Sequence, residues 1–171
     1  KVTDWILAQG NKLKEKPFFL WLHYMDVHEP YVPERKYIDR VDRSIDVTGD
    51  QMMKLFQEVL LKRDVSDGKN VELFKKLYLA HVIEIDEAVK EFFSILRKAK
   101  QLDDSIVIIT SDHGDEFGEH GSLSHDGKMY SELIDVPLII HDSSLEKGEV
   151  SDQVVSTLDV SPTIAHLFGL G

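Results

Sequence analysis

The stretch Ser105–Gly121, SIVIITSDHGDEFGEHG, decides the reading of this chain. Its opening residues, Ser105–Thr110, are a β-branched run of strand length. Immediately after them come Asp112, His113, Asp115, Glu116, Glu119 and His120, the densest collection of potential metal ligands in the sequence. The interspersed glycines let the backbone of such a loop fold closely, including conformations with positive φ. In open α/β sheets ligands gather in the crevice beyond the carboxyl ends of the strands. Acidic loops are often no more than solvated surface; the position at a strand end is what favours a functional reading here. Carboxylates and imidazoles without a thiolate suit a hard or borderline divalent ion such as Ca²⁺, Mg²⁺, Mn²⁺ or Zn²⁺. The loop runs on through His125, Asp126 and Gly127 to Lys128, a cation placed to meet an anion.

Outward from this segment the periodicities alternate. Phe18–Tyr24 (FFLWLHY) is an apolar run expected to form a buried strand, and Pro137–His141 (PLIIH) is a third such run. Met25–Pro33, with two prolines, is expected to be irregular. Helices are predicted over Val2–Lys14, over Gln51–Lys62, and most clearly where Val71, Phe74, Tyr78, Val82, Ile85, Val89, Phe92 and Leu96 form one apolar stripe. Asp64–Asn70 reads as a polar connection. Ser161–Pro162 reads as a helix start and Gly169 as its stop. Apolar strands alternating with helices indicate an α/β domain, a mostly parallel sheet flanked by helices, spanning residues 1–171 as one unit. Three strands make a thin sheet, which fits a piece of a larger domain.

Composition narrows the partners. The net charge of -11 argues against nucleic acid, whose phosphates are bound by clustered Lys and Arg. It would also repel an anionic ligand at long range, so an ester must be held by local charge. The sequence has no cysteine, which excludes disulfides and thiolate chemistry within it. No stretch approaches the ~18 consecutive apolar residues of a membrane span. The chain starts at Lys1 rather than Met, so any signal peptide is expected upstream; the acidic, cysteine-free composition leans towards the cytoplasm.

TSDHGDEFGEHG followed by HDGKMYSELIDVPLII resembles the metal-binding segment of the sulfatase family, in the alkaline-phosphatase superfamily, in the branch with Asp-His at the metal. PFFLWLHYMDVHEPYVP resembles the same family's strand that ends in a histidine closely followed by proline, and VVSTLDVSPTIAHLFGLG is a third, looser match. The resemblance implies the C-terminal portion of an alkaline-phosphatase-like catalytic domain. It implies Asp112 and His113 as metal ligands, with calcium favoured over manganese, magnesium or zinc. Lys128 would contact the substrate's anionic group as a catalytic and substrate-binding residue, His125 would line the site, and His28 would stand on the leaving-group side, where an imidazole can donate a proton. His23 reads instead as a core histidine, Asp159 and Thr163 as capping and packing residues, and His166 as no ligand.

The family's nucleophile is a formylglycine made from Cys or Ser in a short C/S-x-P-S-R motif, accompanied by an acidic pair at the metal. This sequence has no such motif and no acidic pair at the end of an early strand; its Ser161–Pro162 lacks the following arginine. The resemblance therefore implies part of a metal-dependent sulfuric ester hydrolase, acting on a small-molecule sulfate or phosphate ester. The formylglycine is expected in a missing N-terminal half, and this portion alone is expected to be inactive. Two other readings stay open: a phosphodiesterase or phosphonate monoester hydrolase of the same superfamily, and a non-catalytic binding domain on that scaffold.

Overall fold

In a computed structural model of the protein, Ala8 and residues 18–62, 65, 67–125, 127–145 and 148–170 are described. Apart from Ala8, the helix expected over Val2–Lys14 lies outside them. Helices α1 (Arg35–Val41), α2 (Gly49–Lys62) and α3 (Gly68–Ala99) come first. Strand β1 (Val107–Thr110), the short strands β2 (Glu116–Phe117) and β3 (Leu123–Ser124), helix α4 (Ser131–Ile134) and strand β4 (Leu138–His141) follow. A 3₁₀ turn, Thr157–Asp159, leads into α5 (Val160–Leu167).

Local chemistry sets these boundaries. At the start of α2 the Thr48 N–H donates to Gln51 Oε1 at 2.7 Å and Gln51 N–H donates to Thr48 Oγ1 at 3.3 Å, a reciprocal cap. Asp67 caps α3 by accepting from the Lys69 N–H, so this helix begins earlier than the apolar stripe suggested. It stops at Lys100, in the left-handed region at φ 57°. Ser156, not Ser161, opens the C-terminal helical segment: its side chain accepts from the Leu158 N–H while Asp159 accepts from the Ser156 N–H. Thr163 Oγ1 donates to the Asp159 carbonyl at 2.6 Å, in keeping with the structural part read for both residues.

The core is an aromatic cluster between helices. Tyr31 lies within 5.7 Å, ring centre to ring centre, of Phe56, Tyr78 and Phe117, and Phe56 lies 5.7 Å from Phe74. Met52, Phe56 and Val59 of α2 and Phe74, Leu77 and Ala80 of α3 close it. The deepest face of α3 runs through Phe74, Leu77, His81 and Glu84, while Val82, expected in the stripe, is exposed. The buried face thus includes the polar His81 and Glu84, which an apolar stripe does not reveal.

The sheet departs from expectation. β1 pairs with β4 antiparallel, Val107 opposite His141 and Thr110 opposite Leu138. β2 pairs with β3, also antiparallel, and no parallel ladder occurs among the described residues. Phe18–Tyr24 forms no ladder there either; it alternates half-buried and exposed residues, leaving Trp21 71 % exposed. The period of two is that of a strand, with Phe19, Trp21 and His23 on the exposed side. In β4 the successive residues Leu138, Ile139 and Ile140 are all exposed, so both faces of this strand are open rather than covered. Among the described residues, no helix is long and apolar enough to cross a membrane.

Candidate active site

Two segments build the site. The first is the turn after the extended run, closed by the His28 N–H donating to the Met25 carbonyl at 3.1 Å. The second is the loop after β1. Its chain reverses through the β2–β3 hairpin, where Gly118 adopts φ 88° and donates its N–H to the Ser122 carbonyl at 2.8 Å. The reversal lays His125 against His113, rings stacked 4.1 Å apart. His28 then meets both, 5.2 Å from His125 and 6.3 Å from His113. Residues widely separated in sequence thus form one group of three half-buried imidazoles.

Each ring is held at Nδ1. His28 Nδ1 lies 2.7 Å from the Glu29 carbonyl and His113 Nδ1 2.9 Å from the Gly114 carbonyl. A carbonyl only accepts, so Nδ1 carries the proton and Nε2 is left for a ligand or substrate. Gly114 is itself pinned, donating its N–H to the Leu133 carbonyl at 2.9 Å. Asp112 lies at the exposed rim, its side chain 77 % accessible, with Oδ1 3.9 Å from His113 Nε2. Partial desolvation would raise its carboxyl. Hydrogen bonds from the backbone N–H groups of Asp112 and His113, and the imidazoles of His113 and His23, outweigh that and hold it below the usual range. His23 is therefore not the core histidine expected: its position is exposed, on the open side of the extended run, with Nε2 2.9 Å from Met25 Sδ.

The residues present fit a divalent ion. Asp112 and His113 offer one hard oxygen and one imidazole nitrogen whose separation suits two donors each about 2.0–2.6 Å from one ion. His113 also lies in a compact group with Asp115 and His125, and His28 in another with Glu29 and His125.

Lys128 is held by its own partners. Its Nζ donates to Glu116 Oε2 at 2.8 Å and to Ser122 Oγ at 2.7 Å. Glu116 is fully buried and also accepts from the N–H groups of His120 and Ser122. Burial would raise its carboxyl, but the Lys128 ammonium and those donors hold it down to about 2. Glu119 reaches Lys75 on α3 at 2.9 Å, and His120 reaches Glu132 at 2.6 Å while stacking on Tyr130. These residues fasten the loop.

Glu29, Tyr31 and Ser124 are not singled out by the sequence, and Asp115 stands there only as one of the potential ligands of the loop. Ser124 Oγ donates to Glu29 Oε1 at 2.8 Å and also lies 3.1 Å from His125 Nδ1. The only advance signal was adjacency: Glu29 follows His28, Ser124 precedes His125, and Asp115 sits inside the ligand-rich loop.

The loop after β1 thus brings an Asp-His pair with the spacing of two metal donors next to a group of three imidazoles. The sulfatase family model matches residues 1–170, and the chain belongs to the sulfatase family. It is 30% identical to a choline-sulfatase of Rhizobium meliloti (strain 1021), covering 95% of this chain and 33% of that protein. It is 26% identical to the multifunctional alkaline phosphatase superfamily protein PehA of Trinickia caryophylli, covering 90% of this chain and 34% of that one. Among solved structures it resembles the phosphonate monoester hydrolase SpPMH from Silicibacter pomeroyi, with a TM-score of 0.73 and 20% identity over 98% of this chain and 37% of that one. That likeness establishes the alkaline-phosphatase-like fold. The chain spans about a third of the length of these relatives.

Proposed function

We propose that this chain supplies the metal-side wall of an active site that hydrolyses small-molecule sulfate esters, as the C-terminal portion of a larger catalytic domain. The observation that carries the reading is the convergence of His28, His113 and His125 beside Asp112, each of the first two rings with Nδ1 occupied and Nε2 available. Asp112 and His113 would hold a divalent ion, calcium first among the candidates. Bound there, it supplies Lewis-acid polarisation of the ester's oxygens. His28 and His125 face the anion with ring nitrogens, and His28 in its protonated form gives the Nε2 proton to the leaving alcohol oxygen as the sulfur–oxygen bond breaks. Lys128, whose charge is engaged by Glu116, acts in this reading through the loop it braces. The nucleophile, a formylglycine by family, stands outside these residues, so the 171 residues alone turn over no ester.

The similarity to a protein named multifunctional favours keeping phosphonate and phosphate diesters as a second substrate class on the same residues. The test assays the intact protein on p-nitrophenyl sulfate, p-nitrophenyl phenylphosphonate and bis-p-nitrophenyl phosphate. Chelation and the variant Asp112→Ala are run in parallel. Sulfate cleavage that disappears in both supports the reading. Phosphonate or diester cleavage alone moves the assignment to the second class, and undiminished activity in Asp112→Ala overturns both.

A further inference from the structure

We propose that Asp115 is the positioning residue for His125, held in turn by the buried Tyr31, and that it keeps His125 in the form with the proton on Nδ1 and Nε2 turned to the ester. The inference rests on the reading of His125 as an active-site imidazole and adds the chain of groups that orients it.

Among the described residues, the polar groups that face His125 Nδ1 are acceptors. Asp115 Oδ1 stands 3.2 Å away and Ser124 Oγ 3.1 Å away. The Ser124 hydroxyl proton is directed to Glu29 Oε1, so towards His125 that oxygen offers a lone pair. Glu29 Oε2, at 3.6 Å, is beyond hydrogen-bond reach and adds only negative charge. With acceptors alone around it, Nδ1 must carry a proton. Asp115 is itself fixed. Its side chain is only 6 % exposed, and its second oxygen accepts from the Tyr31 hydroxyl at 2.7 Å. Burial, and then the charge of Asp115, push the Tyr31 phenol far above its ordinary range, so that hydroxyl remains a donor. Tyr31 stands among Phe56, Phe74, Tyr78 and Phe117, in the close-packed core cluster. A ring at the open site is thereby referenced to the core through a single carboxylate, as an active-site group needs if it is to hold its geometry.

The test uses the intact protein labelled with ¹⁵N-histidine, at a pH where the imidazoles are neutral, and reads the tautomer of each ring from its nitrogen shifts. His125 is expected with Nδ1 protonated. In Asp115→Asn, which can offer an N–H in place of an acceptor, it is expected to move to the Nε2-protonated form, while His28 and His113 keep theirs. Alongside, kcat falls by about 10- to 100-fold with KM little changed. Tyr31→Phe keeps the ring in the core and loosens only the carboxylate, so a smaller fall in the same direction is expected even if Asp115→Asn folds poorly. An Nε2-protonated His125 in the parent protein, or an unchanged tautomer in a folded Asp115→Asn, overturns the proposal. A tautomer that switches in a protein cleaving none of the three esters upholds the positioning role and sinks the functional reading instead.

Discussion

The backbone N–H of Val32 donates to Nε2 of His81 at 3.0 Å, tying the segment that carries His28 to the buried face of α3. His81 must be neutral to accept this bond, and Nδ1, 3.4 Å from Glu84 Oε2, then bears the proton. Burial lowers the His81 imidazole, outweighing the opposite pull of Glu84 and Asp26. The sign follows from linkage. The unfolded chain binds a proton at His81 as pH falls below about 6.5, whereas the folded chain does so only at lower pH, so stability drops on acidification. Melting temperature measured from pH 8 to pH 5 should fall, and His81→Gln, which can accept from Val32 but does not titrate, should flatten that slope. Equal slopes would count against the role given to His81.

Gly114 fixes the ligand loop against α4. A Cβ built on it would stand 2.1 Å from the Glu132 carbonyl oxygen, a backbone atom that cannot swing away. Gly114→Ala must therefore push the loop off α4 and break the bond to the Leu133 carbonyl. The expected cost is about 1–3 kcal/mol in chemical denaturation, with weaker binding of divalent ions because His113 is anchored through the Gly114 carbonyl. A variant with parental stability and metal affinity would show that the loop does not depend on this contact.

What could be read in the sequence was what repeats locally. The stripe on α3 and the β-branched run before Asp112 are periodic, and both elements formed at those places. The direction of pairing was not legible. An apolar run looks alike in parallel and antiparallel ladders, and β1 took β4 as an antiparallel neighbour. His28, His113 and His125 lie together, and Lys128 is engaged by Glu116. Nothing in linear spacing says which of several nearby acceptors a flexible ammonium will choose. The pairing of Tyr31 with Asp115 was out of reach for another reason: the bond joins residues 84 positions apart, which no local pattern connects.

Ser124 occupies φ 73°, a conformation that suits glycine, and it is buried. A side chain there costs on the order of 1 kcal/mol. The hydroxyl offsets part of this through its bond to Glu29. Ser124→Gly should consequently be more stable than Ser124→Ala by about 1 kcal/mol, yet both should lose activity because both lose the acceptor facing His125. Thermal denaturation and kcat, measured on the two variants together, separate the effects. An alanine variant as stable as the glycine one would refute the strain argument.

Glu116 and Lys128 decide whether the lysine acts on the ester or on the loop. Glu116 is fully buried and joins Lys128 to the backbone at His120 and Ser122. Because its carboxyl is held down to about 2, its contribution is complete above the ordinary glutamate value near 4.5 and is lost only as pH falls from there towards 2. Breaking the pair at neutral pH leaves a buried partner uncompensated, a loss on the order of 3 kcal/mol. If Lys128 braces the loop, Glu116→Gln and Lys128→Met should lower stability by similar amounts, and the double variant should cost little more than either, a coupling that a double-mutant cycle measures directly. KM for the ester should then move no more in Lys128→Met than in Glu116→Gln. If the lysine contacts the ester itself, Lys128→Met alone raises KM, and Glu116→Gln, by releasing the ammonium, leaves KM unchanged or lowers it. The KM comparison between these two single variants thus chooses between the roles.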